Sequence, residues 1–468
     1  MSGTFNTIIQ LVYLLAASCF VLGLHLMNTP ATARRGNQVS VAGMVAAIVA
    51  TGVLVVHLGV IRPIGWIVIA AGILVGGGLG LYTARTVKMT AMPQLVSIFN
   101  AVGGGAAALV AIRDFMSVGA GVGAATSVPT VLDVIIGSVT FSGSIIAAGK
   151  LQGVITSAPV TIPGARILNF LLAVAAVGVG AYVIDSPGMV GLGIVIAASL
   201  VFGISMVMPI GGADMPVVIS LLNAFTGTAV AMAGFVINNT ALIIAGALVG
   251  ASGGILTKLM ADAMNRSIAN IMLGGFGSGD SAVAVEGAAG AGVQAIAADD
   301  AAIQLAYASK VIIVPGYGLA AAQAQHEVAA LADLLESRGV DVSYAIHPVA
   351  GRMPGHMNVL LAEANVPYPL LKEMDEVNPE FARTDVALVI GANDVTNPAA
   401  RRPGTAISGM PILDVDAAKS IIVIKRSMGH GYAGIDNELY TNPKTSMFFA
   451  DAKKGLAELT SSVKTLVG

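Results

Sequence analysis

The chain has 468 residues, 56% of them hydrophobic and only 11% charged, with a formal net charge of -2. A water-soluble chain carries about 25% charged residues, so the deficit excludes a disordered protein, a nucleic-acid binder and a set of ordinary soluble domains, and points to a membrane protein. The single cysteine, Cys19, excludes a disulfide framework and a cysteine-based metal cluster. Charge is also unevenly spread. Residues 1–270 hold ten Lys/Arg and five Asp/Glu, whereas residues 271–468 hold fourteen and twenty-one. The first density suits lipid and the second suits water.

Apolar runs of about twenty residues, the length that crosses a bilayer core, lie at 5–26, 39–60, 64–84, 94–112, 128–149, 167–184, 188–209, 215–236 and 239–261. Nine spans are therefore expected. The first is read as a retained span, since residues 1–10 carry no Lys or Arg and the apolar stretch is too long for a signal peptide. With an odd count the two chain ends lie on opposite sides. Arg34, Arg35, Arg85, Lys88, Lys150, Arg166, Lys258 and Arg266 fall on the side of the C-terminal half, and Arg62 and Arg113 on the other. By the positive-inside rule the N-terminus is then outside and the C-terminal half is in the cytoplasm or its topological equivalent.

Gly- and Ala-rich spans predict a tightly packed bundle, because small residues let helix backbones approach. Polar residues within the spans are Asn100, Asp133, Ser142, Ser144, Asp214, Asn223, Thr226, Thr228 and Ser252. Single hydroxyls satisfy themselves on their own helix or a neighbour. The amides of Asn100 and Asn223 cannot, since each has four hydrogen-bonding sites, which leaves them either helix-packing groups or part of an aqueous relay. His25 and His57 sit near span ends and read as interfacial.

Residues 271–298, rich in Gly and Ala without a sustained period, read as a tether between a membrane domain over 1–270 and a second domain over 299–468. Asp299 and Asp300 suit a helix start leading into residues 303–308. The run 311–314 reads as a strand and is followed by Gly316-x-Gly318-x-x-Ala321, an amphipathic helix to about Arg338 and a second strand at 340–346. A strand before the glycines and a helix after them is the context that makes this a dinucleotide fingerprint. Further strands are expected at 386–390, 412–415 and 421–424, with a closing helix within 446–467, giving a Rossmann-like parallel α/β sheet. After the second strand, where an NAD site wants an acid, stands His347-Pro348. Lys425-Arg426-Ser427 instead offers two cations and a hydroxyl, chemistry matched to a 2'-phosphate and hence to NADP.

The stretches Gly211-Gly212-Ala213-Asp214-Met215-Pro216, Thr140-Phe141-Ser142-Gly143-Ser144, Val314-Pro315-Gly316-Tyr317-Gly318, His347 through Asn358, Gly391-Ala392-Asn393-Asp394 and Lys425-Arg426-Ser427-Met428 together resemble the β-subunit family of the proton-translocating NAD(P) transhydrogenases. The resemblance spans essentially the whole chain. It implies that NADP(H) lies against Gly316, Tyr317, Gly318, Ala321, Val349, Ala350, Gly351, Arg352, Met353, Pro354, Gly391, Ala392, Asn393, Asp394, Gly409, Met410, Lys425, Arg426, Ser427, Met428, Gly429, His430, Gly431, Tyr432, Asp451 and Ala452, with the loop through Tyr432 as a lid. It implies Asn100, Ser144, Asp214, Asn223, Ser252 and Gly253 as proton-path or coupling positions, and no metal. It further implies hydride transfer directly between nicotinamides, with NADH on a partner α subunit that brings further membrane helices, in a dimeric complex of the inner membrane. Some members carry histidine where this chain has Asn100, which cannot change charge, so the titrating group falls to a partner subunit or to water. The alternative is a transporter or channel with a nucleotide-sensing domain.

Overall fold

A computed structural model describes residues 2–27, 29–59, 61–118, 124–156, 160, 164–211, 214–264, 267–268, 292–351, 353, 355–405, 407–431 and 433–467. Most of the tether expected at 271–298 lies outside the described residues. The chain divides into two compact units, each taken by itself.

The N-terminal unit carries helices α1 (Ser2–Leu26), α2 (Pro30–Leu58), α3 (Pro63–Thr86), α4 (Met92–Val118), α5 (Ala124–Gln152), α6 (Ala165–Asp185), α7 (Met189–Val207), α8 (Met215–Val236) and α9 (Thr240–Ala263). Among the described residues these are nine helices long and apolar enough to cross a membrane, matching the nine expected spans. Several outrun their apolar cores. The α2 helix starts at Pro30, whose fixed φ suits a first turn, and takes in the polar stretch around Arg34 and Arg35.

Glycines set the packing. A Cβ on Gly227 of α8 would collide with the backbone of Gly250 on α9, and one on Gly246 with the backbone of Ala231. Between α4 and α5, Gly104 faces Thr140 while Gly137 faces the Gly104 carbonyl and Ala108. Between α5 and α7, Gly203 faces Ser142, whose hydroxyl donates to the Leu200 carbonyl at 2.8 Å. By contrast α3 buries none of its residues, and Gly72, Gly76, Gly77 and Gly78 along it face open space. Near the end of α5, Lys150 is 1% exposed, and its Nζ donates to the carbonyls of Met208 at 2.6 Å and Ile210 at 2.7 Å. A cation is well placed on carbonyls that follow a helix C-terminus.

The C-terminal unit is a seven-stranded, wholly parallel sheet: β1 (Gln294–Ala295), β2 (Lys310–Pro315), β3 (Asp341–Ile346), β4 (Leu371–Glu373), β5 (Val386–Ile390), β6 (Ser420–Lys425) and β7 (Thr445–Phe449), in the order β1-β7-β6-β5-β2-β3-β4. Read from β4 to β7, this is the dinucleotide-binding order, with its switch between β2 and β5. Strand β5 is buried along its whole length, as expected of a parallel strand covered on both faces. One face packs α10 (Ala298–Ala306), α11 (Tyr317–Ala322), α12 (Gln325–Glu336) and α15 (Ala452–Val467). Helices α13 (His356–Glu363) and α14 (Met374–Val377) follow β3 and β4.

Three local expectations change. The run 412–415 is not a strand: Leu413 N–H donates to the Val395 carbonyl at 2.9 Å and Asp414 N–H to Asn378 Oδ1 at 3.0 Å, so its backbone is satisfied by loops while Leu413 and Val415 cover the sheet. The single helix expected up to Arg338 is two helices, because Gln323 adopts a left-handed conformation (φ 52°) and Ala324 N–H closes back on the Leu319 carbonyl at 3.1 Å, a Schellman stop. Strand β1 lies inside the range expected as tether, where it pairs with β7.

Overpacking against backbone cannot be relieved by rotamer change and costs about 1–3 kcal/mol. Gly227→Ala should therefore lower the thermal unfolding midpoint of the detergent-solubilised chain, while Gly76→Ala leaves it unchanged.

Candidate nucleotide site and buried membrane polar groups

Ligands of open parallel sheets bind beyond the carboxyl ends of the strands at the switch point. Here the turns after β2 and β5 touch backbone to backbone. Gly316 N–H donates to the Ile390 carbonyl at 2.9 Å and Gly318 N–H to the Gly391 carbonyl at 3.0 Å. A Cβ on Gly316 would strike Ala392, and one on Gly318 would lie 2.6 Å from the Gly391 Cα. Gly391 itself has φ +65°. Three absent side chains thus bring Gly316, Tyr317 and Gly318 against Gly391, Ala392 and Asn393. The buried Oδ1 of Asn393 has no hydrogen-bond partner among the described residues, and Ala321 lies exposed on α11.

After β3, His347 turns inward rather than toward a ligand. It is 1% exposed, its Nε2 pairs with the Pro411 carbonyl at 2.9 Å, and its Nδ1 accepts from Val349 N–H at 3.2 Å. Burial holds the imidazole below its ordinary range, only partly offset by the Pro411 bond. Its role is to anchor the loop: Ala350 is buried, Gly351 has φ +100°, and Met353 accepts from His356 N–H at 3.2 Å. Arg352 and Pro354 lie outside the described residues. Pro411 also walls a groove of about 610 Å³ whose lining includes Arg402, Ser408, Gly409 and Met410.

After β6, Lys425 is half-buried, its Nζ donates to the Gly429 carbonyl and sits 4.6 Å from the centre of the Tyr440 ring. Burial lowers the ammonium from its ordinary range, while the carboxylates of Asp394 and Asp436 oppose that fall. Arg426, Ser427, Met428, Gly429 and His430 are exposed, with His430 Nδ1 3.2 Å from Asp436. Gly431 lies directly on the Asp394 carboxylate, whose Oδ2 accepts from Ala433 N–H at 3.0 Å. The expected lid residue Tyr432 lies outside the described residues. Asp451 and the buried Ala452 stand after β7, on the same edge, with Asp451 Oδ1 accepting from Lys453 N–H at 3.1 Å. The edge therefore combines close backbone approach with the exposed cation of Arg426 and hydroxyl of Ser427, and these residue types fit a phosphorylated dinucleotide.

In the membrane unit, Asn100 is 4% exposed; its Nδ2 donates to the Ile219 carbonyl at 3.3 Å and its own carbonyl accepts from Thr226 Oγ1 at 3.3 Å. Ser144 is fully buried and its carbonyl accepts from Ser97 Oγ at 2.8 Å. Asn223 is half-buried and Asp214, just before α8, is 8% exposed. Ser252 is exposed and bonds back to the Val249 carbonyl at 3.1 Å, while Gly253 packs against the Ala224 backbone. The carbonyl of Gly253 accepts from Thr257 Oγ1 at 2.7 Å and Ser220 Oγ at 3.3 Å.

A family model described as NAD(P) transhydrogenase beta subunit matches residues 9–462. Two sequences named NAD(P) transhydrogenase subunit beta, both from Rhodospirillum rubrum, are 48% identical over 467 residues, covering 98% of this chain and 99% of the relative. The chain belongs to the NAD(P) transhydrogenase β-subunit family. It is thereby a multi-pass membrane component of an oxidoreductase, and nicotinamide nucleotides and an α subunit are implied with it.

For a transhydrogenase β subunit the sequence reading missed one supporting element. The 3₁₀ turn Glu438–Thr441 lies beneath the site: Tyr440 Oη donates to the Ala392 carbonyl at 3.0 Å and Asn437 Nδ2 to the Asn393 carbonyl at 2.9 Å. The available signal was Asn437, whose Oδ1 accepts from Leu439 N–H at 2.9 Å in the manner of a cap. Gly391→Ala combines left-handed strain with a backbone collision and should cost about 2–5 kcal/mol. Gly339→Ala, with φ +85° but open space around it, should cost only about 1–2 kcal/mol. Chemical unfolding followed by circular dichroism distinguishes the two.

Proposed function

We propose that this chain is the NADP(H)-binding, proton-conducting subunit of a proton-translocating transhydrogenase. The observation that carries this reading is Lys425-Arg426-Ser427 at the carboxyl end of β6, beside a glycine-lined switch point in a sheet of dinucleotide-binding order. Arg426 and Ser427 would hold the 2'-phosphate, and Gly316, Gly318 and Gly391 would let backbone approach the pyrophosphate. Lys425 props the 425–431 loop from within. Bound NADP(H) supplies the hydride chemistry, and the chain orients it and keeps water away.

NAD(H) belongs in this reading to the α subunit, and hydride transfer between NADH and NADP+ is coupled to proton movement. Proton occupancy in the membrane unit then shifts the relative affinity for NADP+ and NADPH, a linkage that runs both ways. That α3 buries none of its residues within this chain supports helices supplied from outside it. The charge bias of eight cations against two supports an N-terminus outside and a nucleotide domain in the cytoplasm. In this reading the complex is a dimer of the inner membrane, with the membrane domain over 1–270, the tether over 271–298 and the nucleotide domain over 299–468. Asn100, Ser144, Asp214, Asn223, Ser252 and Gly253 form the proton-path or coupling set. No observation favours a transporter or channel with a sensing domain.

Charge-assisted hydrogen bonds contribute about 1.5–3 kcal/mol each, so Arg426→Ala should weaken NADP(H) binding at least about tenfold and leave NAD(H) binding nearly unchanged. Titration calorimetry reads both, and equal losses would remove the phosphate assignment. Replacing Asn100 or Asn223 by Leu removes donors and acceptors at similar volume. In vesicles holding a pH-sensitive dye, either change should impair proton uptake during hydride transfer, and unchanged uptake in both would reduce the two amides to helix packing.

A further inference from the structure

Asn100 can hold water or a neighbouring carbonyl, but it cannot take up a charge. A proton path through this unit needs a group that can, and the helices offer a distinct candidate. Asp133 on α5 is 0% exposed, and neither of its carboxylate oxygens has a hydrogen-bond partner among the described residues. The other acids of the nine helices are Asp114, Asp185 and Asp262, all in the closing turns of their helices and none fully buried. Asp133 is the tenth residue of α5, roughly 14 Å along the helix from its start at 1.5 Å per residue. A side chain as short as aspartate cannot reach the interface from there.

A structural carboxyl buried at such depth is kept by an ion pair or by hydrogen bonds. Among the described residues Asp133 has neither, so packing does not account for it; an apolar side chain of similar size would fill the space at less cost. Its position along α5 does. Asp133, Gly137, Thr140 and Ser144 recur at helical spacing and form one face. That face packs on α4: Ser97 bonds the Ser144 carbonyl, Gly104 meets Thr140, and Ala108 meets Gly137. One turn further along the same antiparallel seam, Asp133 comes level with the fully buried Ala111. The carboxyl therefore lies on the seam that also holds Ser144 and Asn100.

We propose that Asp133 is a proton-binding site on that path, the titrating group that Asn100 does not supply. The proposal rests on the reading of this chain as proton-conducting and names the chemistry of one station within it. Loading forms one O–H bond on a carboxylate oxygen and leaves a neutral acid. Unloading passes the proton to the next acceptor and restores the carboxylate, with no change of oxidation state. Around Asp133 the titratable and charged groups are few: Arg113 and Asp114 near the end of α4, Arg166, Tyr182 and Asp185 on α6, and Lys150 seventeen residues on along α5, with none on α7 or on α8 from Val218 to Val236. Among the described residues neither a fixed counter-ion nor a competing acid stands on the seam beside it, so a proton is the charge available to neutralise it.

The test uses the assembled enzyme, this chain with its α subunit, reconstituted in vesicles with an entrapped pH dye, comparing wild type, Asp133→Asn and Asp133→Glu. Proton uptake driven by hydride transfer should fall about a hundredfold or more in Asp133→Asn, the scale of losing a proton-transfer group, and be largely retained in Asp133→Glu. Infrared difference spectra between the NADP+- and NADPH-loaded enzyme should contain a carboxylic-acid carbonyl band, absent in Asp133→Asn and displaced in Asp133→Glu. If Asp133→Asn yields no assembled enzyme, the wild-type band and its displacement in Asp133→Glu decide. Wild-type uptake in Asp133→Asn, or a band indifferent to both substitutions, overturns the assignment of Asp133 and leaves the subunit reading standing. Wild-type vesicles that transfer hydride without proton uptake overturn that reading, and Asp133 falls with it.

Discussion

Backbone lying against backbone, with no side chain between, is the contact on which both units rest. In the membrane unit Gly227 and Gly246 let α8 and α9 meet at main-chain distance, and Gly104 and Gly137 do the same for α4 and α5. Such seams gain dispersion energy where lipid offers no hydrophobic drive for helix association. In the sheet, the same absence at Gly316, Gly318 and Gly391 joins the turns of β2 and β5. One device gives a tight bundle in one unit and an open strand edge in the other, because in the sheet the close approach occurs at the end of the strands rather than along them.

The polar groups follow from that tightness. Once helices are this close, a hydroxyl finds a carbonyl within reach, as Ser97 finds that of Ser144 and Ser142 that of Leu200. Among the described residues of the helices, Gln94 Oε1, both Asp133 oxygens, Ser144 Oγ, Asn169 Nδ2 and Ser199 Oγ remain without such a partner. Of these Asp133 alone is ionisable, and in the sheet unit Asn393 Oδ1 is likewise without a partner among the described residues.

The nine spans were legible because lipid imposes a single simple demand, length with apolarity, and every helix meets it. Strands β2, β5 and β6 were legible for a similar reason, as short continuous apolar runs bounded by loops, and β3 as a mainly apolar run interrupted by Asp341 and Ser343. The run 412–415 is apolar except for Asp414 yet forms no strand, since burial on the sheet's face and burial in the sheet demand the same apolar residues. The closing helix lies within the expected 446–467, and strand β7 before it carried no separate signal, since Thr445–Phe449 has no glycine or proline between it and the helix start. At the candidate site the glycines and cations could be read from spacing. The inward turn of His347 and the propping of Ala392 by Tyr440 could not, because both depend on partners more than forty residues away in sequence.

Lys150 shows how far a charge count and a finished surface can part company. Read along the chain, it is a cation at the end of a hydrophobic segment, the kind of residue that biases which way a nascent helix is threaded. Folded, it is withdrawn from water and bolts α5 to the carbonyls of Met208 and Ile210. The residue can serve two moments of the protein's life in turn, first as a signpost during insertion and later as a fastening. Tallies of basic residues in polytopic chains thus record biosynthetic history, and the electrostatic surface met by a partner or an ion has to be drawn from the folded chain instead.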